Sequence, residues 1–132
     1  MKMVINGRTK GASGERQFCK WLKDNLSLDQ TPTRNLEQTR SGGHDVLVGK
    51  FVFEVKRVEK LQLQKWWLQV VKATEKIEGG IPIVAFRQNK QPWTFLVSAK
   101  YLGALGGYIQ LPEPVFKTWI QGLILTDPSI IG

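Results

Sequence analysis

Two carboxylates and a lysine, Asp45, Glu54 and Lys56, lie on two short apolar segments that are joined by a Gly49-Lys50 turn. A glycine-containing pair between β-rich segments is typical of a two-residue hairpin. With that turn, the register of the hairpin places Asp45 directly opposite Glu54. Because side chains alternate along a strand, Lys56 shares a face with Glu54. The sequence therefore predicts three ionisable groups at one end of an apolar hairpin.

Opposed β-carbons in a hairpin are ~4.5–5.5 Å apart, and like charges at that distance repel. A divalent cation would compensate this repulsion, and hard cations such as Mg²⁺ prefer oxygen ligands. We therefore interpret Asp45 and Glu54 as a metal site. Bound Mg²⁺ would polarise a phosphoryl group and activate water, and Lys56 could orient that water or offset charge on the phosphate. The alternative is a surface salt bridge between Lys56 and Glu54.

Length and composition indicate the general class of protein. The chain has 132 residues, enough for one domain with one core. Its apolar runs are too short to cross a bilayer and its N-terminus lacks an apolar signal core, so we expect a cytoplasmic protein of a bacterial, archaeal or phage-infected cell. A single cysteine, Cys19, excludes an intramolecular disulfide and any multi-cysteine zinc site. A single histidine, His44, argues against histidine-rich zinc chemistry.

The charge of the chain is strongly basic. There are 19 Lys and Arg residues against 11 Asp and Glu residues, which gives a net charge of +8 and a pI near 9.8. Such an excess favours polyanions through steering and counterion release. The basic residues are spread along the chain, which indicates a basic surface on a folded domain. Nucleic acid is the expected partner, and a merely solubilising charge excess is the alternative.

Polarity patterns predict an alternation of helices and strands. The expected elements are a flexible basic arm at 1–11, a helix at 13–26, a polar segment at 27–44, the hairpin at 45–57, a helix at 62–78, a strand pair at 81–87 and 92–98, an extended linker at 111–114 and a helix at 115–125. This order predicts an α/β (α+β) fold with a central mixed β-sheet of four to five strands flanked by helices.

Three further residues in the two longer helices stand out. Glu15 lies at the edge of the apolar stripe of the first helix, where a carboxylate needs either a function or the favourable field of the helix N-terminus. Trp66 and Trp67 lie on the apolar face of the second long helix, and we interpret them as core or dimer-contact residues. An apolar face of this kind and the segment 99–132 are the surfaces on which we expect a dimer contact.

The chain resembles the PD-(D/E)XK nuclease superfamily, and within it the archaeal-type Holliday-junction resolvases and their phage relatives. The resemblance covers roughly residues 8–98. It rests on an ordered set of motifs: Lys10-Gly11-Ala12-Ser13-Gly14-Glu15-Arg16, Arg40-Ser41-Gly42-Gly43, Asp45-Val46, Glu54-Val55-Lys56, and Gly79-Gly80-Ile81-Pro82-Ile83-Val84-Ala85 followed by Trp93. It implies a restriction-endonuclease-like fold, a nuclease core at 12–98 and a C-terminal extension at 99–132 with a possible role in dimerisation.

The resemblance also implies roles for individual residues. The expected catalytic residues are Glu15, Asp45, Glu54, Lys56 and Gln69, and the expected metal ligands are Asp45, Glu54, Glu15 and Val55. Glu15 resembles the acidic residue of the first helix, and Gln69 resembles a glutamine that supports the site in many relatives. His44 stands where relatives usually have a proline. The expected DNA-binding residues are Lys10, Arg16, Arg34, Arg40, Ser41, His44 and Lys65. For Lys65 and the Arg40–Gly43 loop, a merely solvated surface is the alternative.

The function that this set implies is Mg²⁺-dependent hydrolysis of DNA phosphodiester bonds, with Mn²⁺ as a substitute metal. We expect a homodimer that cuts four-way junctions selectively. One alternative is a less selective phage-type nuclease that acts on duplex, flap or single-stranded DNA. Another is a non-catalytic DNA-binding module, although binding alone does not require opposed carboxylates.

Overall fold

A computed structural model describes residues 7–34 and 45–132 of the chain. Its helices are α1 (Gly7–Leu26), α2 (Leu63–Thr74) and α3 (Glu113–Thr126). Its strands are β1 (Val46–Val48), β2 (Phe51–Arg57), β3 (Ile81–Arg87), β4 (Thr94–Ser98) and β5 (Tyr108–Pro112). Two short 3₁₀ helices, Ala99–Leu102 and Pro128–Ile130, complete the described elements.

The five strands form one mixed sheet in the order β1-β2-β3-β4-β5. Strand β2 pairs with β3 in parallel, and the other three neighbouring pairs are antiparallel. The parallel pair requires a crossover connection, which α2 supplies. The prediction of a central mixed sheet flanked by helices is therefore confirmed.

The β1–β2 hairpin has the predicted register. Val46 pairs with Phe53 and Val48 pairs with Phe51. Gly49 has a φ of +56°, a left-handed conformation that favours glycine, and a Cβ at this position would collide with the backbone oxygen of Ile130. The turn is anchored there, because Lys50 N donates a 2.7 Å hydrogen bond to the same oxygen. The turn therefore fixes which residues of β2 stand opposite which residues of β1.

Each face of the sheet buries its own apolar layer. On one face, Phe53, Ile83 and Phe95 pack with residues of α1 and α3. On the other face, Val52, Val84 and Leu96 pack with the buried side of α2. Alternation along β2 assigns the odd-numbered residues to the α1 face and the even-numbered residues to the α2 face. Glu54 and Lys56 are thus on the α2 face of the sheet, and Arg57 is on the α1 face.

Buried aromatic and thiol side chains contribute to both core layers, and the core role expected of Trp66 and Trp67 is confirmed. Trp66 and Trp67 are buried in the layer under α2. Trp93 and Cys19 are buried in the layer between the sheet and α1. Burial raises the pKa of the Cys19 thiol to about 11, so it is a neutral core residue.

The helix boundaries differ from the prediction at two points. Helix α1 begins at Gly7, so the part of the predicted arm at 7–11 has helical backbone. The sequence placed the start at Ser13 because serine is a favourable N-cap residue. Helix α2 ends at Thr74, before the predicted end at residue 78. The apolar Ile77, which extended the helical pattern in the sequence, packs against the same layer from the following turn.

The C-terminal third of the chain belongs to the same sheet and core as the rest. Residues 108–112 form edge strand β5 beside β4, although the sequence predicted only an extended linker at 111–114. Phe116 and Ile120 of α3 are fully buried in the layer under α1. Both the sheet and the core therefore continue beyond residue 98.

In the described part of the chain, no helix is long and apolar enough to cross a membrane.

Candidate active site

Asp45 and Glu54 lie side by side at one end of the hairpin. Asp45 N donates a 2.9 Å hydrogen bond to Phe53 O, which continues the β1–β2 pairing by one step beyond Val46. Asp45 is only 4% exposed and Glu54 only 8% exposed. The hairpin register thus brings two buried carboxylates together, as the sequence predicts.

Two contacts orient these carboxylates. Val55 N donates a 2.6 Å hydrogen bond to Asp45 Oδ2. Lys56 Nζ lies 3.2 Å from Glu54 Oε1. The predicted proximity of Lys56 and Glu54 is therefore present. One lysine is nevertheless a partial counterion for two buried acids.

The electrostatics of the pair favour binding of a proton or another cation. Burial, followed by the charge of Glu54, raises the pKa of Asp45 to about 8. Burial also raises the pKa of Glu54, and the neighbouring Lys56 opposes that shift. The two carboxyl groups thus form one coupled system that resists carrying two negative charges.

Glu15 reaches the same region from α1 and is also buried. Arg34 Nε lies 2.6 Å from Glu15 Oε2. Arg34 is placed there by an isolated antiparallel bridge to Val46, which brings Arg34 beside β1. The charge of Glu15 helps to raise the pKa of both Asp45 and Glu54, so the helix acid acts electrostatically on the pair.

The donor set suits a hard divalent cation. Asp45 and Glu54 offer carboxylate oxygens. Val55 has no oxygen in its side chain, so it can offer only its backbone carbonyl oxygen. The N–H and C=O of one strand residue point to the same side, so this carbonyl faces the side on which Val55 N meets Asp45. Small cations of this kind use few protein oxygens and keep several waters. A cation here would also relieve the like-charge repulsion.

Glu15 lies near this set and has a cation of its own. Arg34 engages one of its carboxylate oxygens at 2.6 Å. Within residues 7–34 and 45–132, no three His, Cys, Asp or Glu side chains converge closely enough to ligate one metal ion. The role of Glu15 as a metal ligand stays a prediction.

Among the described residues, no hydrogen bond or ion pair joins the other predicted site residues to Asp45 or Glu54. Gln69 and Lys65 are exposed on α2. Arg16 is exposed on α1. Arg40, Ser41 and His44 lie outside the described residues, as does the side chain of Lys10. The roles of these residues remain predictions.

Sequence reasoning missed two arginines at the same end of the sheet. Arg57 follows Lys56 directly at the end of β2. Arg87 of β3 is the register partner of Arg57. The signal was present, because each arginine ends a strand that the sequence located. It was not used because the parallel pairing of β2 with β3, which brings them together, is not encoded in either strand alone.

Comparison with known proteins identifies the family. A family profile described as "Phage putative PDDEXK endonuclease" matches residues 6–120. Among solved structures, the fold is similar to Hjc, a Holliday junction resolvase from Archaeoglobus fulgidus, with a TM-score of 0.52 and 19% sequence identity over 80% of this chain and 91% of that one. No curated protein matches the chain. The fold is therefore restriction-endonuclease-like, and the chain belongs to the phage PDDEXK endonuclease family of the PD-(D/E)XK superfamily.

Proposed function

We propose that this protein is a divalent-metal-dependent DNA endonuclease that uses Mg²⁺, or Mn²⁺ in its place. The observation that supports this proposal best is the buried Asp45–Glu54 pair, which among the described residues has only Lys56 as a close cation. Two buried carboxylates without sufficient counterions destabilise a fold, so a purely structural role does not explain them. A metal site does explain them, because the metal ion needs both carboxylates as ligands. Membership in a nuclease family gives the same chemistry independent support.

Each residue of the cluster has a distinct task in this proposal. Asp45, Glu54 and the Val55 carbonyl would hold the metal ion, which polarises the scissile phosphate and lowers the pKa of bound water. The Val55 N–H fixes the orientation of the Asp45 carboxylate. Lys56 is placed by Glu54 where it can orient water or offset charge that develops on the phosphate. Glu15, held by Arg34, adds negative potential that favours a divalent cation.

The pair must release its shared proton before both carboxylates can ligate a metal ion. Because burial raises both pKa values, this proton is retained to a higher pH than in a solvent-exposed pair. Metal binding and proton release are therefore coupled, and metal affinity should increase with pH up to about the pKa of 8 for Asp45.

The substrate we propose is branched DNA, with the four-way junction as the first choice. A resolvase-like fold and a net charge of +8 support it. Less selective cutting of duplex, flap or single-stranded DNA is the second candidate, and the phage family description favours it. Selectivity between them depends on how two active sites are spaced in an assembly, which the fold of one chain does not determine.

We propose a homodimer, and its contact surface differs from one of the two that the sequence suggested. Trp66 and Trp67 are buried within the chain, so they are not available for a partner. The most exposed large apolar side chains occur in the C-terminal third, where Leu102 is 76% exposed and Leu125 is 82% exposed, compared with 58% for Leu68 of α2. These residues are the better candidates for a contact between two copies.

Cleavage of a synthetic four-way junction and of its linear duplex arms tests the proposal. With Mg²⁺ we expect paired, symmetric nicks on the junction alone, and no nicks when EDTA replaces the metal. Equal cutting of the linear arms would support the less selective nuclease. Binding of both substrates without cutting in Mg²⁺ or Mn²⁺ would contradict the enzymatic proposal and support a DNA-binding module.

A further inference from the structure

Two arginines are the last residues of neighbouring strands. Their side chains are on the α1 face, at the end of the sheet that also carries the carboxylate pair. Arg57 of β2 and Arg87 of β3 are register partners in the parallel pairing. The residues before them on the same face, Val55 and Ala85, belong to the core layer under α1. The two cationic side chains therefore start side by side where that core meets the surface.

The packing against α1 holds each arginine in place. A Cβ added to Gly14 would lie 2.9 Å from Arg57 Cβ, so the stem of Arg57 lies directly against the helix backbone. Arg87 Nη1 donates a 3.4 Å hydrogen bond to Gln17 Oε1, one turn further along α1. Its guanidinium also lies 5.9 Å from the ring centre of Trp93. These contacts position the two stems without compensating their charges.

The loops that follow the two strands are tied together, which keeps the arginines adjacent. Gln88 Nε2 donates a 2.9 Å hydrogen bond to Glu59 O, and Asn89 N donates one of 2.9 Å to Glu59 Oε1. Glu59, the acid that follows Arg57 most closely in sequence, therefore directs one carboxylate oxygen to the backbone of the neighbouring loop. These hydrogen bonds hold together the two strand ends that carry the arginines.

Neither arginine has a counterion in the part of the chain that the structure describes. No salt bridge links Arg57 or Arg87 to a described carboxylate. The Nε atoms of both residues are buried and have no hydrogen-bond partner among the described residues. Buried polar groups without a partner are rare, and adjacent like charges repel. The pair is thus incomplete without an anion.

We propose that Arg57 and Arg87 together bind one backbone phosphate of the DNA, next to the phosphate that the carboxylate cluster receives. Arginine suits this role because its planar fork matches phosphate oxygens in a bidentate way. Arg57 lies three residues beyond Glu54, about 10 Å along the strand, and its side chain is on the opposite face of the sheet, so the bound phosphate is distinct from the scissile one. That the anion belongs to DNA rests on the proposed nuclease function.

The site is limited to this pair. The groove of about 440 Å³ beyond Arg87 carries Lys20 and Lys90, but it also carries Asp24 and Glu113. Its charges therefore nearly balance, and it offers no continuous basic track. The uncompensated positive charge is at the two strand ends.

Thermal unfolding with inorganic phosphate tests the anion site without DNA. In EDTA and at constant ionic strength, replacing chloride by phosphate should raise the Tm of the natural protein. The double variant Arg57→Gln/Arg87→Gln should lose most of this increase, and the matched Arg→Lys variant should keep part of it, because lysine retains the charge but not the fork. Lys100→Gln is the control. Lys100 is exposed, and it follows the end of β4 that lies away from the end of β3 carrying Arg87. No increase for the natural protein, or an equal increase for the double variant, would overturn the site.

DNA binding then identifies the source of the phosphate. In a Glu54→Ala background with EDTA, removing both arginines should reduce the slope of log K against log salt by about 0.9, the contribution of one phosphate. Lys100→Gln should leave that slope unchanged. An unchanged slope in the double variant would overturn the assignment to DNA. If phosphate stabilises the protein but the natural chain neither binds nor cuts DNA, the anion site stands and the proposed nuclease function fails.

Discussion

Buried carboxylates occur in two regions of this molecule, and their surroundings are opposite. On α1, Glu15 has an arginine at 2.6 Å, delivered by the bridge between Arg34 and β1. On the hairpin, Asp45 and Glu54 face each other, with Lys56 at 3.2 Å from Glu54 as their close cation. The first acid has a cation of its own, whereas in the second region two buried acids share one close cation among the described residues.

The difference shows which carboxylates the fold itself needs. An ion pair that is assembled from a helix and a strand-like segment contributes to holding those segments together. Two acids with raised pKa values weaken the apo protein and become useful only when a cation or a proton compensates them. We therefore expect substitutions in the two regions to differ in their effects on stability, on metal binding and on cleavage.

The largest expected effect is on cleavage after Glu54→Ala. Loss of a direct metal ligand should reduce the cleavage rate on the order of 10⁴-fold, about 5.5 kcal/mol in activation free energy. DNA binding in EDTA should stay the same or become tighter, because a negative charge is removed. Single-turnover cleavage and equilibrium binding measure the two effects. Cleavage within tenfold of the natural rate would contradict the assignment of Glu54 as a ligand.

Stabilisation by the metal should be the next largest effect. Mg²⁺ at about 100 times its dissociation constant should stabilise the folded protein by about 2.7 kcal/mol. Asp45→Asn should remove most of this stabilisation, whereas Lys100→Gln should keep it. The measurement is thermal unfolding with Mg²⁺ and with EDTA, in the absence of DNA. Equal metal-dependent stabilisation of the Asp45→Asn variant would show that the ion binds elsewhere.

The comparison also shows how far sequence reasoning reaches. The hairpin partners Asp45 and Glu54 were predicted because a two-residue turn fixes register, and the register is local. The pairing of Glu15 with Arg34 could not be predicted in the same way, since the segment that carries Arg34 has no periodic pattern. Its position depends on an isolated bridge to Val46.

The same distinction explains the errors in the fold. The hairpin and the 81–87 strand follow apolar patterns, and the structure contains them. Strand β5 begins after a glycine-rich turn and was predicted only as a linker, because an edge strand with exposed residues lacks a clear apolar signal. The pairing of Arg57 with Arg87 depends on which strands become neighbours, and that is a property of the whole sheet.

Replacing Asp45 and replacing Glu15 by the corresponding amides should change the free energy of unfolding in opposite directions. At pH 8 in EDTA, Asp45→Asn should stabilise the protein by ~1–3 kcal/mol, because it removes like-charge repulsion from a buried site. Glu15→Gln should destabilise it by ~1–2 kcal/mol, because the half-buried Arg34 loses the charge of its partner. Urea unfolding of both variants measures the difference. Destabilisation by both would mean that the hairpin pair is as structural as the helix pair.

The smallest expected effect, measured per pH unit, is the change in the free energy of unfolding with pH. The pKa of Asp45 is about 8 in the folded protein and near 3.8 in the unfolded chain, so the folded state holds an extra proton between these values. Stability of the metal-free protein must therefore decrease as pH rises from about 4 to about 8, by at most ~1.4 kcal/mol per pH unit for one proton. Asp45→Asn cannot release this proton, so its stability should decrease less over the same range. Urea unfolding of the natural and variant proteins in EDTA at several pH values measures the difference, which should widen toward pH 8 and vanish below about pH 4. Parallel curves for the two proteins would show that Asp45 is ionised in the folded state throughout, and that the hairpin acids are compensated as fully as Glu15.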